Sequence, residues 1–411
     1  MGINRDIALH QITPPLELGF SLGEYRDRLV RIRQRMAKDK IDLLYLTAPE
    51  SLCYVSGYQA EWYQAQSPKA WPPTSGIAVH VDHDDFIMFD TLSEQVMIRY
   101  VTVARDTRIF PMHQRRDGTP FIIEELRAAG WLTGNVGLEF HSYRPNPAVS
   151  RRFVQAFENA GLKVVDGSDI LREVRWLKSP QEMACIAQAA HFADVGHKAA
   201  RAAIRPGVTE LEVYGEIIRA MAAAGSENPG ITQPVASGPK ANCNHPLASR
   251  KKIMPGEQVN VDLSGVYHRY HANIGRTYHV GEPPREVLQA FEKSAKSMAI
   301  CRDLLRPNLP IMELTRTLKA YYEECGLWGE QSWIGGYEMG IAFPPDWVGN
   351  FVYEYEVETD AVFSPGTAVN FESIFFLPRM SGLSCIIDTL AFHADGAAML
   401  SAIPHDLAVI A

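Results

Sequence analysis

Two carboxylates in the second half of the chain lie where a strand would present them to a cavity. Residues 259–264 alternate valine or leucine with asparagine, aspartate and serine, so a strand here would have one apolar face and would carry Asp262 on the other. Glu372 follows Phe371 in a second apolar run, where burying a carboxylate is costly unless it has a partner. We predict that both belong to an active site; the alternative for Glu372 is a structural ion pair with Arg276.

A second strand is predicted to run back beside the first. The chain is expected to turn after Gly265, and His271, Asn273 and Thr277 then lie on alternating positions of the returning run. We expect Asn273 to contact substrate, whereas His268 and His271 are expected behind the site or at the surface. The alternative for the whole hairpin is a strand pair whose polar face simply meets water.

Length and composition restrict the class of protein. The chain has 411 residues, more than one hydrophobic core usually serves, so two domains are expected. Its 46% hydrophobic and 21% charged residues are typical of a soluble globular protein. A net charge of −8 and a pI near 5.9 argue against nucleic acid or an anionic membrane as the main partner.

The ends and the cysteines suggest a cellular compartment. The first residues lack the apolar core of a signal peptide, and no run approaches the roughly 20 apolar residues of a membrane span. The six cysteines are scattered, without the close pairs of zinc or redox motifs. We therefore predict a cytoplasmic protein with reduced thiols.

Helices and strands are predicted to alternate through residues 1–170, which indicates an α/β domain. In residues 22–39, the apolar side chains Leu29, Ile32 and Met36 among many charges predict an amphipathic helix. Residues 75–89 are typical of a hairpin. Further strands are predicted near residues 41–47, 136–139 and 162–165, and further helices near residues 93–99, 120–129 and 147–160.

Residues 171–411 are predicted to form a second domain of the α+β class. Ser179, Pro180 and Glu182 supply an N-cap, a first-turn proline and a capping-box glutamate, and Thr209 with Glu212 repeats the capping pattern. Further helices are predicted near residues 286–305 and 311–325, strands at 368–375 and 382–392, and a loop at 335–347. The two halves of this domain loosely mirror each other.

These elements and their marker sequences resemble the creatinase, prolidase and methionine aminopeptidase superfamily, which has the pita-bread fold. The stretch LTAPESLCYVSGY is similar to the N-terminal tyrosine–glycine segment of that superfamily. REVRWLKSPQEMA is similar to the start of its interdomain helix, and SPGTAVNFESIF is similar to its glutamate-bearing strand. The resemblance covers nearly the whole chain. It implies a pita-bread catalytic domain preceded by a creatinase-type α/β domain.

The resemblance also bears on metal binding. Metal-dependent members hold two divalent ions with two aspartates, a histidine and two glutamates. In this chain the two aspartates correspond to Asp262 and Asn273, the two glutamates to Glu372 and Ile387, and the histidine falls near Tyr337. Two carboxylates cannot neutralise four positive charges, and an amide, a phenol and an alkyl chain are poor ligands for such cations. We therefore predict neither a metal nor another cofactor.

Two further phrases, GVYHRYHANIGRTYHVG and GGYEMGIAFPPDW, are most similar to the ectoine hydrolase branch. Ectoine hydrolase and creatinase act without metal on small nitrogen-rich molecules. The resemblance implies that His245 is a third catalytic residue beside Asp262 and Glu372. In the ectoine hydrolase branch a glutamate at the position of Asp262 is the proposed nucleophile; the shorter aspartate here leaves the substrate open.

We therefore predict a metal-independent hydrolase of a C–N bond in a small amidine-like or amide compound. A carboxylate pair suits the N–H donors of a planar amidinium, and a histidine can transfer the protons. Asn242, Asn273, Tyr337 and Glu338 are predicted to bind substrate. Packing is the alternative for Tyr337, and a solvated loop charge is the alternative for Glu338. The alternatives are an Xaa-Pro dipeptidase-type metallopeptidase and a catalytically silent small-molecule-binding relative.

An aromatic-rich segment in the first domain suggests how the protein assembles. Trp62 and Tyr63 present ring faces that suit a cationic substrate. In creatinase-like dimers this region reaches toward the other subunit's active site, so the resemblance implies substrate contacts for both residues and a homodimer. The alternative is packing in the core or between subunits.

Overall fold

The computed structural model describes residues 4–13, 15–59, 74–111, 117–354 and 357–411. The chain divides into two compact units, residues 1–175 and 176–411. The boundary expected at residue 170 falls within a helix, Ser168–Trp176, that the sequence analysis does not predict. Trp62 and Tyr63 lie outside the described residues, so their role and the homodimer stay predictions. No helix in the described ranges is both long and apolar enough to cross a membrane.

The N-terminal unit is built on a six-stranded sheet, and its alternation of strands and helices confirms the predicted α/β class. The strands are β1 (Leu43–Leu46), β2 (Gly76–His80), β3 (Phe86–Asp90), β4 (Asp106–Ile109), β5 (Asn135–Leu138) and β6 (Lys163–Asp166). The helices are α1 (Arg5–His10), α2 (Leu22–Asp39), α3 (Pro49–Ser56), α4 (Gln95–Val101), α5 (Thr119–Ala128), α6 (Pro147–Asn159) and α7 (Ser168–Trp176).

The sheet of this unit has the order β4-β3-β2-β1-β5-β6. The predicted hairpin is the antiparallel pair β2–β3, whereas β5 and β6 run parallel to β1. One core cluster includes Tyr45 from the sheet and Phe153 and Phe157 from α6, and the ring of Tyr45 lies 4.9 Å from that of Phe153. The apolar spacing of α6 thus buries one face of the helix, as expected for an amphipathic helix.

Helices of the C-terminal unit begin where the capping signals predict. They are α8 (Pro180–Ala203), α9 (Glu210–Ala224), α10 (Arg285–Leu304) and α11 (Ile311–Cys325). Both capping boxes are formed: Ser179 Oγ accepts from the N–H of Glu182, and Thr209 does the same with Glu212. Capping satisfies backbone donors that the first helical turn leaves without partners.

A nine-stranded sheet forms the other layer of this unit. Its strands are β7 (Val235–Ser237), β8 (Gln258–Tyr267), β9 (Tyr270–Val280), β11 (Gln331–Tyr337), β12 (Phe351–Tyr353), β14 (Ala368–Phe375), β15 (Ser384–Phe392), β16 (Ala397–Met399) and β17 (Ala408–Ile410); β10 (Leu309–Pro310) and β13 (Val362–Phe363) pair separately. The main path is β12-β11-β14-β15-β9-β8-β7. The loop predicted at residues 335–347 therefore begins later, because β11 continues through Tyr337.

The turn of the β8–β9 hairpin lies later than predicted. Tyr267 pairs with Tyr270, and His268 and Arg269 between them both have positive φ, as a two-residue type I′ turn requires. The carboxylate of Glu227 accepts from both backbone N–H groups of the turn, at 2.9 and 3.0 Å. Gly265 serves packing instead, because a Cβ there would collide with the carbonyl of Ala189 in α8.

A buried ion pair joins β9 to β15. Nη2 of Arg276 donates to Oδ2 of Asp388 at 3.0 Å, and the guanidinium also donates to the carbonyls of Ile387, Ile403 and Pro404. Asp388 is fully buried. Arg276 therefore pairs with Asp388, and the alternative of an ion pair with Glu372 is wrong.

We expect Arg276→Ala to lower the free energy of unfolding by about 3–5 kcal/mol, because it removes the permanent positive charge beside the buried Asp388 and leaves His405, 2.9 Å away, as its ion-pair partner. Urea denaturation followed by circular dichroism measures the loss. Arg316→Ala is the matched control, since Arg316 pairs with Glu358 at the surface and such pairs contribute about 0–1 kcal/mol. Equal losses in the two variants would contradict a structural role for the buried pair.

Candidate active site

A cavity of about 410 Å³ in the C-terminal unit brings the three predicted catalytic residues together. His245, Asp262 and Glu372 all contribute to its lining, together with Tyr337. Much of the remaining wall is apolar or aromatic, from side chains that include Trp333, Trp347, Phe351, Ile374, Leu383 and Ile387. Enclosed, mostly apolar walls with a few polar groups are typical of small-molecule sites.

Strand register positions the two carboxylates. Asp262 on β8 pairs with Gly275 on β9, Gly275 pairs with Ile387 on β15, and Ile387 pairs with Glu372 on β14. These four residues form one row across the sheet, and directly paired residues present their side chains on the same face. The two carboxylates are thus separated by two strands and still share one cavity.

Two asparagines connect the carboxyl groups through direct hydrogen bonds. Nδ2 of Asn273 donates to Oδ1 of Asp262 at 2.6 Å, and Nδ2 of Asn370 donates to Oε1 of Glu372 at 2.6 Å. Asn370 also donates to Oδ1 of Asn273 at 3.1 Å, which closes the chain between them. Asn370 was not among the predicted site residues; its position two residues before Glu372, on the same strand face, was the available signal.

Tyr337 extends this network at the end of β11. Its hydroxyl donates to Oδ1 of Asn273 at 3.3 Å and accepts from Nε1 of Trp347 at 3.2 Å. Burial, and then the negative charges of Glu372 and Asp262, raise the pKa of Tyr337 well above its ordinary value. The residue is therefore a neutral phenol that both packs in the wall and faces the cavity.

Burial separates the pKa values of the two carboxyl groups. Desolvation raises the pKa of Asp262 to about 6, although the hydrogen bond from Asn273 acts to lower this pKa. Desolvation, and then the charge of Asp262, raise the pKa of Glu372 to about 8, although hydrogen bonds from Asn370 and Tyr337 act to lower this pKa. Near neutral pH, Glu372 therefore holds a proton while Asp262 is mostly ionised. Such a pair offers one acid and one base.

His245 lies in an exposed loop at the edge of the cavity. Within the described residues, no hydrogen bond joins it to Asp262 or Glu372. Glu210, a buried carboxylate at the start of α9, stabilises the ends of this loop. It accepts hydrogen bonds from the N–H of Ser249 at 3.0 Å and from the N–H of Ser237 at 2.8 Å. Glu210 was not among the residues predicted from the sequence to act at the site.

Other predicted site residues lie outside the cavity lining. Nδ2 of Asn242 donates to the carbonyl of Ser381 at 2.8 Å, and Glu338 forms a buried ion pair with Lys178 at 2.5 Å. Neither side chain is therefore positioned to contact a ligand in this cavity. Glu338 is only 8% exposed, so the alternative that it is a solvated loop charge is wrong.

The histidines of the hairpin do not line the cavity either. His271 is fully buried, accepts from the N–H of Gly230 and donates to the carbonyl of Arg269, as expected for a residue behind the site. Burial and then the charge of Arg269 lower its pKa well below the ordinary value, so the ring is neutral. Its two hydrogen bonds also define the tautomer.

The five positions that correspond to metal ligands carry few groups that bind divalent cations. Both atoms of the Asn273 amide are already in hydrogen bonds with protein groups. Ile387 lies directly over Gly275, where a Cβ would come within 2.8 Å of its Cγ1, so hydrocarbon occupies the middle of the row. Hard cations require several oxygen ligands. The residues present therefore do not fit two divalent ions.

The raised pKa of Glu372 predicts that its protonation affects stability. Its folded pKa of about 8 exceeds the ordinary 4.5, so the native state binds more protons than the unfolded state between these values and stability falls as the pH rises. Glu372→Gln should remove this pH-dependent loss. Between pH 4.5 and pH 9, its free energy of unfolding should therefore rise relative to that of wild type by on the order of 3–5 kcal/mol. Urea denaturation across this range measures the difference.

Glu330→Gln supplies the control for that measurement, because Glu330 is exposed. The difference in free energy of unfolding between Glu330→Gln and wild type should change by less than about 0.5 kcal/mol over the same pH range, as for most surface substitutions. A pH-independent difference between Glu372→Gln and wild type would mean that the carboxyl group titrates normally.

Comparisons with known proteins agree with this architecture. An ectoine hydrolase from Halomonas elongata is 23% identical over 372 residues, which cover 87% of this chain and 90% of that protein. An Xaa-Pro dipeptidase from Pyrococcus furiosus is 23% identical over 386 residues, covering 93% and 99%. The crystal structure of an X-Pro aminopeptidase from Thermotoga maritima matches with a TM-score of 0.77 at 19% identity, covering 93% and 99%.

Family models match both units. Residues 28–177 match the creatinase/prolidase N-terminal domain, and residues 184–391 match metallopeptidase family M24. The second match covers half of the chain, and the folds of both units agree with it. The chain therefore belongs to metallopeptidase family M24, with a creatinase-type N-terminal domain and a pita-bread C-terminal domain.

Proposed function

We propose that this M24 hydrolase acts without metal on a C–N bond in a small amidine-like or amide compound. The observation that carries the proposal is the row Asp262–Gly275–Ile387–Glu372, in which isoleucine lies between two carboxyl groups that are connected by amides. A row of this composition holds one acidic and one basic carboxyl group in a confined cavity. The similarity to ectoine hydrolase supports the proposed type of bond.

The proposed chemistry is hydrolysis at the central carbon of the substrate. An oxygen atom bonds to this carbon, the C–N bond breaks, and the departing nitrogen takes up a proton. Glu372 retains a proton near neutral pH and is the candidate donor, since it lies in the same cavity as the ionised Asp262. In one alternative Asp262 adds to the carbon, the nitrogen departs, and water then cleaves the covalent intermediate and releases Asp262. In the other, Asp262 holds substrate N–H groups while water attacks the carbon directly; in both, His245 takes the proton of the attacking water.

An Xaa-Pro dipeptidase is the second candidate. The relative from Pyrococcus furiosus has the same level of identity as the ectoine hydrolase and covers slightly more of the chain. A metal-dependent peptidase would require ligands beyond Asp262 and Glu372. Metal dependence and substrate choice therefore separate the two candidates. A panel of ectoine, hydroxyectoine, creatine, related cyclic amidines and Xaa-Pro dipeptides, assayed by mass spectrometry, addresses the substrate.

We expect the purified protein to contain well under one equivalent of Mn, Fe, Co or Zn, because two carboxyl groups and hydrocarbon do not neutralise two divalent ions. Elemental analysis by mass spectrometry measures the content, and turnover should survive dialysis against EDTA. The double variant N273D/I387E, which adds two carboxylates to the row, is the positive control for metal uptake. Stoichiometric metal with chelator-sensitive turnover in wild type would favour the dipeptidase.

We expect Asp262→Asn and His245→Ala to fail in different ways. His245→Ala should lower kcat by about 10²–10⁴ with little change in KM, the usual effect of losing a group that transfers protons. Asp262→Asn should abolish turnover if Asp262 adds to the substrate, and should raise KM with residual turnover if it only holds the substrate. Steady-state kinetics on the substrate found in the panel distinguishes these outcomes.

His393→Ala is the control for the histidine variant, because His393 is exposed and lies outside the cavity lining. Its kcat and KM should match those of wild type. Full activity of His245→Ala would remove His245 from the mechanism and leave the proton transfers to the two carboxyl groups.

A further inference from the structure

The charged side chains that line the cavity are nearly all acidic. Asp262, Asp346 and Glu372 contribute carboxyl groups, and no lysine or arginine is among the described lining residues. His245 is the single basic side chain there. Glu372 holds a proton near neutral pH, so Asp262 and Asp346 supply the negative charge. One histidine at the exposed edge does not offset these two carboxylates, and the walls of the cavity concentrate their negative potential.

Asp346 is the carboxylate that the proposed reaction does not use. It is partly exposed, and its Oδ1 accepts from the backbone N–H of Val348 at 2.9 Å. Within the described residues it forms no ion pair with a lysine, arginine or histidine. Its charge is therefore available to a ligand, in contrast to Glu338, whose charge is matched by Lys178.

Aromatic rings line the same cavity as Asp346. Trp347 follows it in the chain and lines the same cavity, together with Trp333 and Phe351, whose rings meet edge to face at 5.8 Å. Aromatic faces attract cations through their quadrupole and also bury apolar surface. Carboxylates beside aromatic walls suit a ligand that has both a cationic group and an apolar body.

We propose that this cavity selects a cationic substrate that has an apolar body and no carboxylate, and that Asp346 is a residue that determines this specificity. The inference rests on the proposed function for the choice of site, and it narrows the substrate to an amidinium or a related cation. A ligand carboxylate would lie among like charges without a lysine or arginine from the described lining, and like-charge juxtaposition selects against such ligands.

Matched ligand pairs test the proposal by equilibrium binding. The first pair is ectoine and 2-methyl-1,4,5,6-tetrahydropyrimidine, which is the same cyclic amidinium without the carboxylate. The second pair is 4-amidinobenzoate and benzamidine, with benzamide as the neutral analogue. Isothermal titration calorimetry on the EDTA-treated full-length protein at pH 7.5 should show each carboxylate-free cation binding at least about tenfold more tightly than its carboxylate partner and than benzamide.

Asp346→Asn tests the specificity residue and keeps the fold, because the amide oxygen can still accept from Val348. It should weaken binding of both carboxylate-free cations by about tenfold and reduce the discrimination within each pair. Asp303→Asn is the matched control: it removes the same charge from an exposed position outside the cavity lining and should change each affinity by less than about twofold.

Three outcomes would overturn the inference: equal or tighter binding of the carboxylate ligands, absence of binding by either carboxylate-free cation up to about 10 mM, or equal effects of Asp346→Asn and Asp303→Asn. These readouts do not depend on turnover.

Metal-free hydrolysis of ectoine with tight ectoine binding would overturn the inference and leave the proposed function intact. Metal-dependent turnover with the expected binding pattern would overturn the proposed function alone.

Discussion

The hydrogen-bond register of β8, β9, β15 and β14 is the constraint on which the site depends. It aligns Asp262, Gly275, Ile387 and Glu372 in one row, and a slip of one residue on any of these strands would turn its side chain to the opposite face. The buried contacts of Arg276 join β9, β15 and the C-terminal segment, which stabilises that alignment. The position of the carboxyl groups is therefore a property of the sheet rather than of a flexible loop.

Burying two carboxyl groups in one apolar cavity is costly, and the surrounding amides decide how that cost is distributed. Asn273 and Asn370 donate to one carboxyl group each, which favours the ionised forms. Desolvation of both groups favours protonation, and for Glu372 the charge of Asp262 does so as well. The balance leaves Asp262 with the lower pKa and Glu372 with the higher one. Two chemically similar side chains thus have different pKa values because their surroundings differ.

The relationship to family M24 identifies the fold more directly than it identifies the chemistry. Both units match their family models, whereas three of the five positions that correspond to metal ligands carry an amide, a phenol and an alkyl chain. Function is decided by such local groups, and one fold can support several chemistries. The packing of Ile387 over Gly275 shows that this difference is built into the interior of the sheet.

Local patterns in the sequence were sufficient for most helices and for the polar face of β8, because caps and alternation depend on neighbouring residues. Both capping boxes, α11 and β14 lie where the sequence predicts them, and Asp262, Glu372 and His245 meet in one cavity. Only the tertiary structure revealed the bridge through Asn370, the partner of Arg276 and the burial of Glu338 by Lys178. These contacts join residues about 100 or more positions apart, and periodicity carries no information about which distant side chains a fold brings together.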